Sequence, residues 1–221
     1  MTTKAKTAAV LAALLISVST TGCSTQGISE SLSAEIGSTT ASSTQSGAVT
    51  MEISAQNTAA ATTGSYDASI ALSGTSATVS GEGVTVDSST VTVAKGGVYI
   101  LSGSFTGSVI VAAPATDTVQ LVLNGVDIQA DKNAAIYCSQ ADRLILTLAD
   151  GTTNTLSDAA DFTYSDGMSE EPDAAVFSKD DLTVNGTGTL VVNAGYNNGI
   201  GTKDDLVIES GRINVTSANH G

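Results

Sequence analysis

A chain of 221 residues with a formal charge of −14, 41% hydrophobic residues, 4% aromatics and no Trp has to build its core from small aliphatic side chains. That acidity excludes nucleic acid and anionic lipid surfaces as partners, because both repel a surface of the same sign. Two cysteines make no disulfide framework, and a single histidine gives poor support to Ser–His–Asp or Cys–His catalysis and to a zinc centre.

Residues 1–23 read as an export signal. Lys4 and Lys6 precede an apolar run over 7–18 (TAAVLAALLISV). A bilayer span takes about 20 apolar residues, so this run has signal-peptide length instead. Small residues follow, ending in Gly22-Cys23. This resembles a bacterial lipobox, with Thr20 where that pattern prefers Leu, and it makes Cys23 the expected lipidation site. A plain signal peptide with Cys23 incidental is the alternative. The expected location is outside the cytoplasm, lipid-anchored at the bacterial cell surface, with the anchor as the sole membrane contact.

Over 24–64, Ser, Thr, Ala and Gly fill 28 of 41 positions, and Lys, Arg, Pro and aromatic residues are absent. Such a stretch buries too little apolar surface to offset its ordering entropy and reads as a disordered linker. That leaves 65–221 as one domain. Its lone Cys138, in the run AAIYCS, reads as a small buried hydrophobe rather than a nucleophile.

From Val79 onward the chain is built of short runs rich in Val, Ile, Leu and Thr, punctuated by Gly, Asn, Asp and Ser, which are strand and turn signals. No run there keeps a helical apolar period. The spacing is more specific. Lys179-Asp180-Asp181-Leu182 recurs as Lys203-Asp204-Asp205-Leu206, an offset of 24, and VQLVL at Val119 recurs as LILTL at Leu144, an offset of 25. About 24 residues supply three short strands and their turns, fewer than the four strands of a propeller blade. The spacing therefore predicts an all-β solenoid, a single-stranded parallel β-helix over 65–221, with Asn124, Asn154 and Asn185 placed to ladder between coils. An antiparallel β-sandwich with accidental repeats is the alternative. The chain stops after a strand where the next coil would begin, so an incomplete, C-terminally truncated helix of a longer protein is expected, and a monomer.

The paired acids are the main chemical signal. One period apart, Asp180-Asp181 and Asp204-Asp205 stack at one corner of such a coil. Four carboxylates that close repel one another unless a cation sits among them. Ca²⁺ takes six to eight oxygens, which Asn198 and the neighbouring turns would complete. The alternative is a salt-bridge ladder in which Lys179 and Lys203 neutralise one acid of each pair. An acidic insertion over 158–173, with six acids in 16 residues, interrupts the repeat and ends in Asp173, a further candidate ligand. Solenoid insertions often form the binding face. Tyr164 within it and Tyr196 beyond it are the candidate sugar-stacking residues, with Lys179 and Lys203 as polar sugar contacts.

The segments AAIYCSQADRLILTLADGTTNTLSD (134–158), AAVFSKDDLTVNGTGTLVVN (174–193) and NNGIGTKDDLVIESGRINVT (197–216) resemble a family of bacterial secreted carbohydrate-binding proteins. The resemblance implies a right-handed parallel β-helix, similar to the calcium-dependent pectate lyases. It implies several bound Ca²⁺ ions, held at the matching Asp180, Asp181, Asp204 and Asp205. It also implies binding of plant cell-wall polysaccharide such as polygalacturonate (pectin) or cellulose, with no catalytic residue assigned. Two other readings stay open: a calcium-dependent polysaccharide lyase with a Lys or Arg base, for which Lys179, Lys203 and Lys132 are available, and a surface adhesin without glycan specificity.

Overall fold

A computed structural model describes residues 39–44, 48–53, 65–163 and 171–218. The leader with Cys23, much of 24–64, Tyr164 and His220 lie outside the described residues. The chain forms β1 (Thr39–Thr44), β2 (Ala48–Ile53), β3 (Ala68–Gly74), β4 (Ser76–Gly81), β5 (Val84–Asp87), β6 (Thr90–Val93), β7 (Gly97–Thr106), β8 (Ser108–Ala112) and β9 (Thr118–Gln129). It continues with β10 (Ile136–Gln140), β11 (Arg143–Leu148), β12 (Thr153–Ser157), β13 (Ala174–Ser178), β14 (Asp181–Gly186), β15 (Thr189–Ala194), β16 (Asn198–Thr202), β17 (Leu206–Ile208) and β18 (Gly211–Ser217). The described residues contain no helix.

Each pass of the chain contributes three strand segments, and each segment pairs in parallel with its counterpart in the next pass. The first column runs β7, β9, β11, β14, β17. The second uses the C-terminal halves of β7 and β9, then β12, β15 and β18. The third is β6, β8, β10, β13, β16. Because β7 and β9 each serve two columns, the first two columns join into one sheet and the third stands as another. The parallel registers exclude the antiparallel sandwich. Antiparallel pairing is confined to β3 with β4, β5 with β6, and the β1–β2 hairpin, whose β2 lies along β18. Two pieces of the stretch expected to be a linker are thus strands.

Alternation along each strand decides which side chains face inward. Val119, Leu144 and Leu182 align across three passes and are fully buried, as do Leu121, Leu146 and Val184. The second column contributes Ile128, Leu156 and Val192, and the third Val109, Ile136 and Val176. Each such residue contributes about 1.5–3 kcal/mol by leaving water. Cys138 takes one of these inward places in β10, and burial pushes its thiol up to about 11, so the sulfur is an inert core atom. Gly186 turns the chain at φ 99°, and a Cβ there would sit 2.2 Å from the Leu148 carbonyl oxygen of the neighbouring pass. No other residue fits that approach.

Asparagine connects passes in two different ways. Asn154 is fully buried and completely satisfied. Its Oδ1 accepts from the N–H groups of Gly125 (2.9 Å) and Val126 (3.1 Å), and its Nδ2 donates to Thr152 Oγ1 (3.1 Å) and the Thr189 carbonyl (3.2 Å). Asn185 instead belongs to an outer chain of bonds. Gln120 Nε2 donates to Thr147 Oγ1 (2.8 Å), Thr147 Oγ1 to Asn185 Oδ1 (2.7 Å), and Asn185 Nδ2 to Glu209 (3.3 Å). Asn124 is exposed. Replacing Asn154 by Ala strands two backbone donors at about 1–3 kcal/mol each. N154A should lose about 2–4 kcal/mol in urea unfolding, while N124A should stay within about 0.5 kcal/mol of the parent. Equal losses would show that the buried network carries no special weight.

Candidate functional site

The two Lys-Asp-Asp segments form the corners between β13 and β14 and between β16 and β17. Parallel register sets one corner against the next, and Leu182 N–H donates to the Asp205 carbonyl at 2.9 Å. Carboxylate oxygens of Asp181, Asp204 and Asp205 converge within 4.8 Å of one another, with Asp181 half-exposed and the other two exposed. Asp181 is already engaged on both oxygens. Arg143, its register partner in the preceding pass, donates Nη2–H to Oδ2 at 2.8 Å, and Asp205 N–H approaches Oδ1 at 3.4 Å. The Arg143 bond holds the Asp181 carboxyl below the usual carboxylate range.

Three of the six expected metal ligands therefore come together. Asp180 turns back on the preceding pass, where its Oδ2 accepts from the Ala141 N–H at 2.9 Å. Asp173 and Asn198 pair with each other, Asn198 Nδ2 donating to Asp173 Oδ2 at 3.2 Å. Lys179 and Lys203 leave the Asp pairs and converge on Glu171, at 3.8 and 2.6 Å. In their place Arg143 neutralises the corner. The spacing conceals it, because the insertion widens the offset between Arg143 and Asp181 to 38 residues.

The insertion is tied down at both ends. Ala159 N–H donates to the Asn133 carbonyl (3.4 Å) and Thr163 N–H to the Lys132 carbonyl (2.8 Å). Phe162 stacks on Tyr196, ring centroids 4.3 Å apart and planes 16° from parallel. One face of Tyr196, a candidate sugar-stacking residue, is thus covered by protein. At the far end Glu171 bridges the two lysines from successive passes.

Asp158 opens the insertion. Its Oδ1 accepts from the Gly195 N–H at 2.5 Å, with a further backbone bond from Tyr196, while Oδ2 is buried with no hydrogen-bond partner. Burial raises this carboxyl above its ordinary value of 3.8. A raised native value means that the protonated form suits the fold better. Its stabilising effect is complete below the ordinary range and lost as pH rises through the native titration. D158N keeps the accepting oxygen and removes the buried charge. It should raise the melting temperature at pH 7, and the gain should shrink to nothing as pH falls below the ordinary carboxylate range. A gain independent of pH would refute the electrostatic cause.

The described residues form an all-β stack of parallel strands with an acidic corner. The chain belongs to the family described as carbohydrate-binding domain-containing protein, whose model matches residues 87–221. A relative of that description from Acetivibrio thermocellus is 42% identical over 122 residues, 55% of this chain and 43% of the relative. The chain thus spans less than half of that relative's length. A solved structure described as the polysaccharide lyase-like protein from C. thermocellum, in a gadolinium derivative, aligns with TM-score 0.63 and 37% identity over 64% of this chain and 58% of that one.

Proposed function

We propose that this chain is a Ca²⁺-stabilised polysaccharide-binding module whose passes wind as a right-handed parallel β-helix, exported and lipid-anchored at the bacterial cell surface through Cys23. One observation supports this above the rest: Asp181, Asp204 and Asp205 converge within 4.8 Å in a chain of the carbohydrate-binding domain family. The donors are hard carboxylate oxygens on an open surface, a set that suits Ca²⁺ with water completing its six to eight ligands. It does not suit zinc. Asp181, Asp204 and Asp205 would hold the ion, Asp181 giving up its Arg143 bond to do so and leaving Arg143 to face an anionic sugar. When bound, the ion would supply a local positive charge that attracts sugar carboxylates to a protein that otherwise repels them. Polygalacturonate (pectin) and cellulose are the glycans this reading names.

The second reading, a polysaccharide lyase, draws on the description of that neighbour. A lysine base needs a lowered pKa. Glu171 instead raises that of Lys203, and Lys179 shares the same carboxylate. Ultraviolet absorbance from unsaturated uronate products would establish this activity.

Retention on polygalacturonate in millimolar Ca²⁺, abolished by EDTA and by D181N/D204N/D205N, is the expected result. Ca²⁺ at about a hundredfold over its Kd should stabilise the fold by about 2.7 kcal/mol. The triple variant should show no such gain. A protein retained on no glycan in Ca²⁺ would overturn the binding reading, and equal Ca²⁺ stabilisation of the triple variant would overturn this placement of the ion.

A further inference from the structure

The third column presents its outward side chains in register: Thr92, Ile110, Tyr137, Phe177 and Gly201 lie on successive passes. Phe177 is buried although it points away from the core. Gly201 makes room beside it, since a Cβ there would stand 3.3 Å from the Phe177 ring. Tyr137 is half-exposed and leans on Phe177, with ring centroids 6.1 Å apart and planes tilted by 47°. Its hydroxyl makes no hydrogen bond with the described residues.

Tyr137 and Ile110 floor a groove of about 500 Å³. Its walls are three separate pieces of chain. The β5–β6 turn contributes Asp87 and Ser88, and Ser88 is the one non-glycine residue in the left-handed region among the described residues, at φ 52°. The loop between β9 and β10 contributes Asp131, Lys132 and Asn133, held from behind by the start of the insertion through Ala159 and Thr163. Glu171 and Pro172 close the third side, with Lys179 next to them. An aromatic floor under a rim of carboxylates, hydroxyls, an amide and an ammonium is the chemistry that a sugar ring matches. The C–H face of a pyranose packs on the ring, and its hydroxyls meet donors and acceptors at the edge.

The charges decide which sugar. Among the described residues three carboxylates, Asp87, Asp131 and Glu171, and two lysines, Lys132 and Lys179, line the groove, and Glu171 is bridged by both Lys179 and Lys203, at 3.8 and 2.6 Å. These rim charges balance, and no convergent acid group for a bridging cation lies here among the described residues. With neither surplus positive charge nor a cation site, the groove has nothing to hold a uronate carboxylate, whereas a neutral ring needs neither. We infer that the Tyr137 groove is a subsite for a neutral pyranose unit, distinct in chemistry from the acidic corner around Asp181. This rests on the reading of the chain as a polysaccharide-binding module and names the ligand class of one subsite in it.

The test compares the whole chain with Y137A, Y137F and D181N/D204N/D205N. Isothermal titration with a neutral cello-oligosaccharide is run beside affinity electrophoresis in polygalacturonate, and circular dichroism melting verifies each fold. Loss of the stacking surface should weaken the neutral oligosaccharide by about tenfold in Y137A. Y137F keeps the ring and should stay within about threefold. Polygalacturonate retention should be abolished in the acid triple variant and kept by Y137A. Folded Y137A binding the cello-oligosaccharide like the parent would overturn the groove assignment and leave the module intact. So would a parent chain that is retained by polygalacturonate but ignores the neutral probe. A parent chain that binds neither would overturn both.

Discussion

Parallel pairing at a fixed separation of about 4.8 Å per pass is the constraint from which the rest of this molecule follows. It forces equal positions of successive passes into the same column, so whatever stands at one position is met by its counterpart above and below. Inside, the consequence is favourable, because Leu on Leu and Val on Ile fill a narrow interior, joined by the rings of Tyr99 and Phe105 in β7. At the corners the same rule is costly. It stacks Asp181 against Asp205 whether or not their charges agree, and it sets Arg143 over Asp181. Both the core and the acidic corner are outcomes of one register.

That coupling explains what was legible in the sequence. The doubled Lys-Asp-Asp-Leu at a 24-residue offset carried the strand columns, the parallel sense and the convergence of Asp181, Asp204 and Asp205. What it could not carry was the direction each polar side chain takes. Asp180 and Asp181 are adjacent in sequence, yet one turns back to the Ala141 amide and the other outward to Arg143. Lys179 and Lys203 occupy equivalent positions as expected, but their partner Glu171 belongs to a segment outside the repeat. Tyr137 had a readable signal that apolar composition masked. In the run AAIYCS, inward Ile136 and Cys138 leave Tyr137 facing out by simple alternation.

The insertion matters more than its acidic composition suggests. It lengthens one pass without disturbing the registers on either side, since β10 pairs with β13 and β11 with β14 as if it were absent. Its charges then serve as attachment points. Glu171 draws together two lysines that the stack places one pass apart, and Phe162 covers Tyr196. Those attachments are individually weak, because half-exposed ion pairs contribute about 0–1 kcal/mol. Their effect is geometric. They set Glu171 and Pro172 at the rim of the Tyr137 groove and buttress the loop that forms its opposite wall.

On the proposed function a strongly acidic protein has to reconcile its charge with a polysaccharide ligand, and the corner and the groove would do so differently. At the corner, charge is concentrated until only a cation or Arg143 makes the arrangement tolerable, so anion binding there is conditional on what sits among the carboxylates. In the groove the charges are fewer and spread along a rim, and the floor is aromatic and aliphatic, so affinity comes from ring contact and hydroxyl bonding and needs no ion. A polymer with both acidic and neutral sugars would engage the two at once. The advantage then lies in effective concentration, since the second contact forms within a complex already held by the first. Two such weak, chemically unlike subsites would suit a long, heterogeneous ligand better than one deep pocket, because neither would have to bind tightly for the pair to hold.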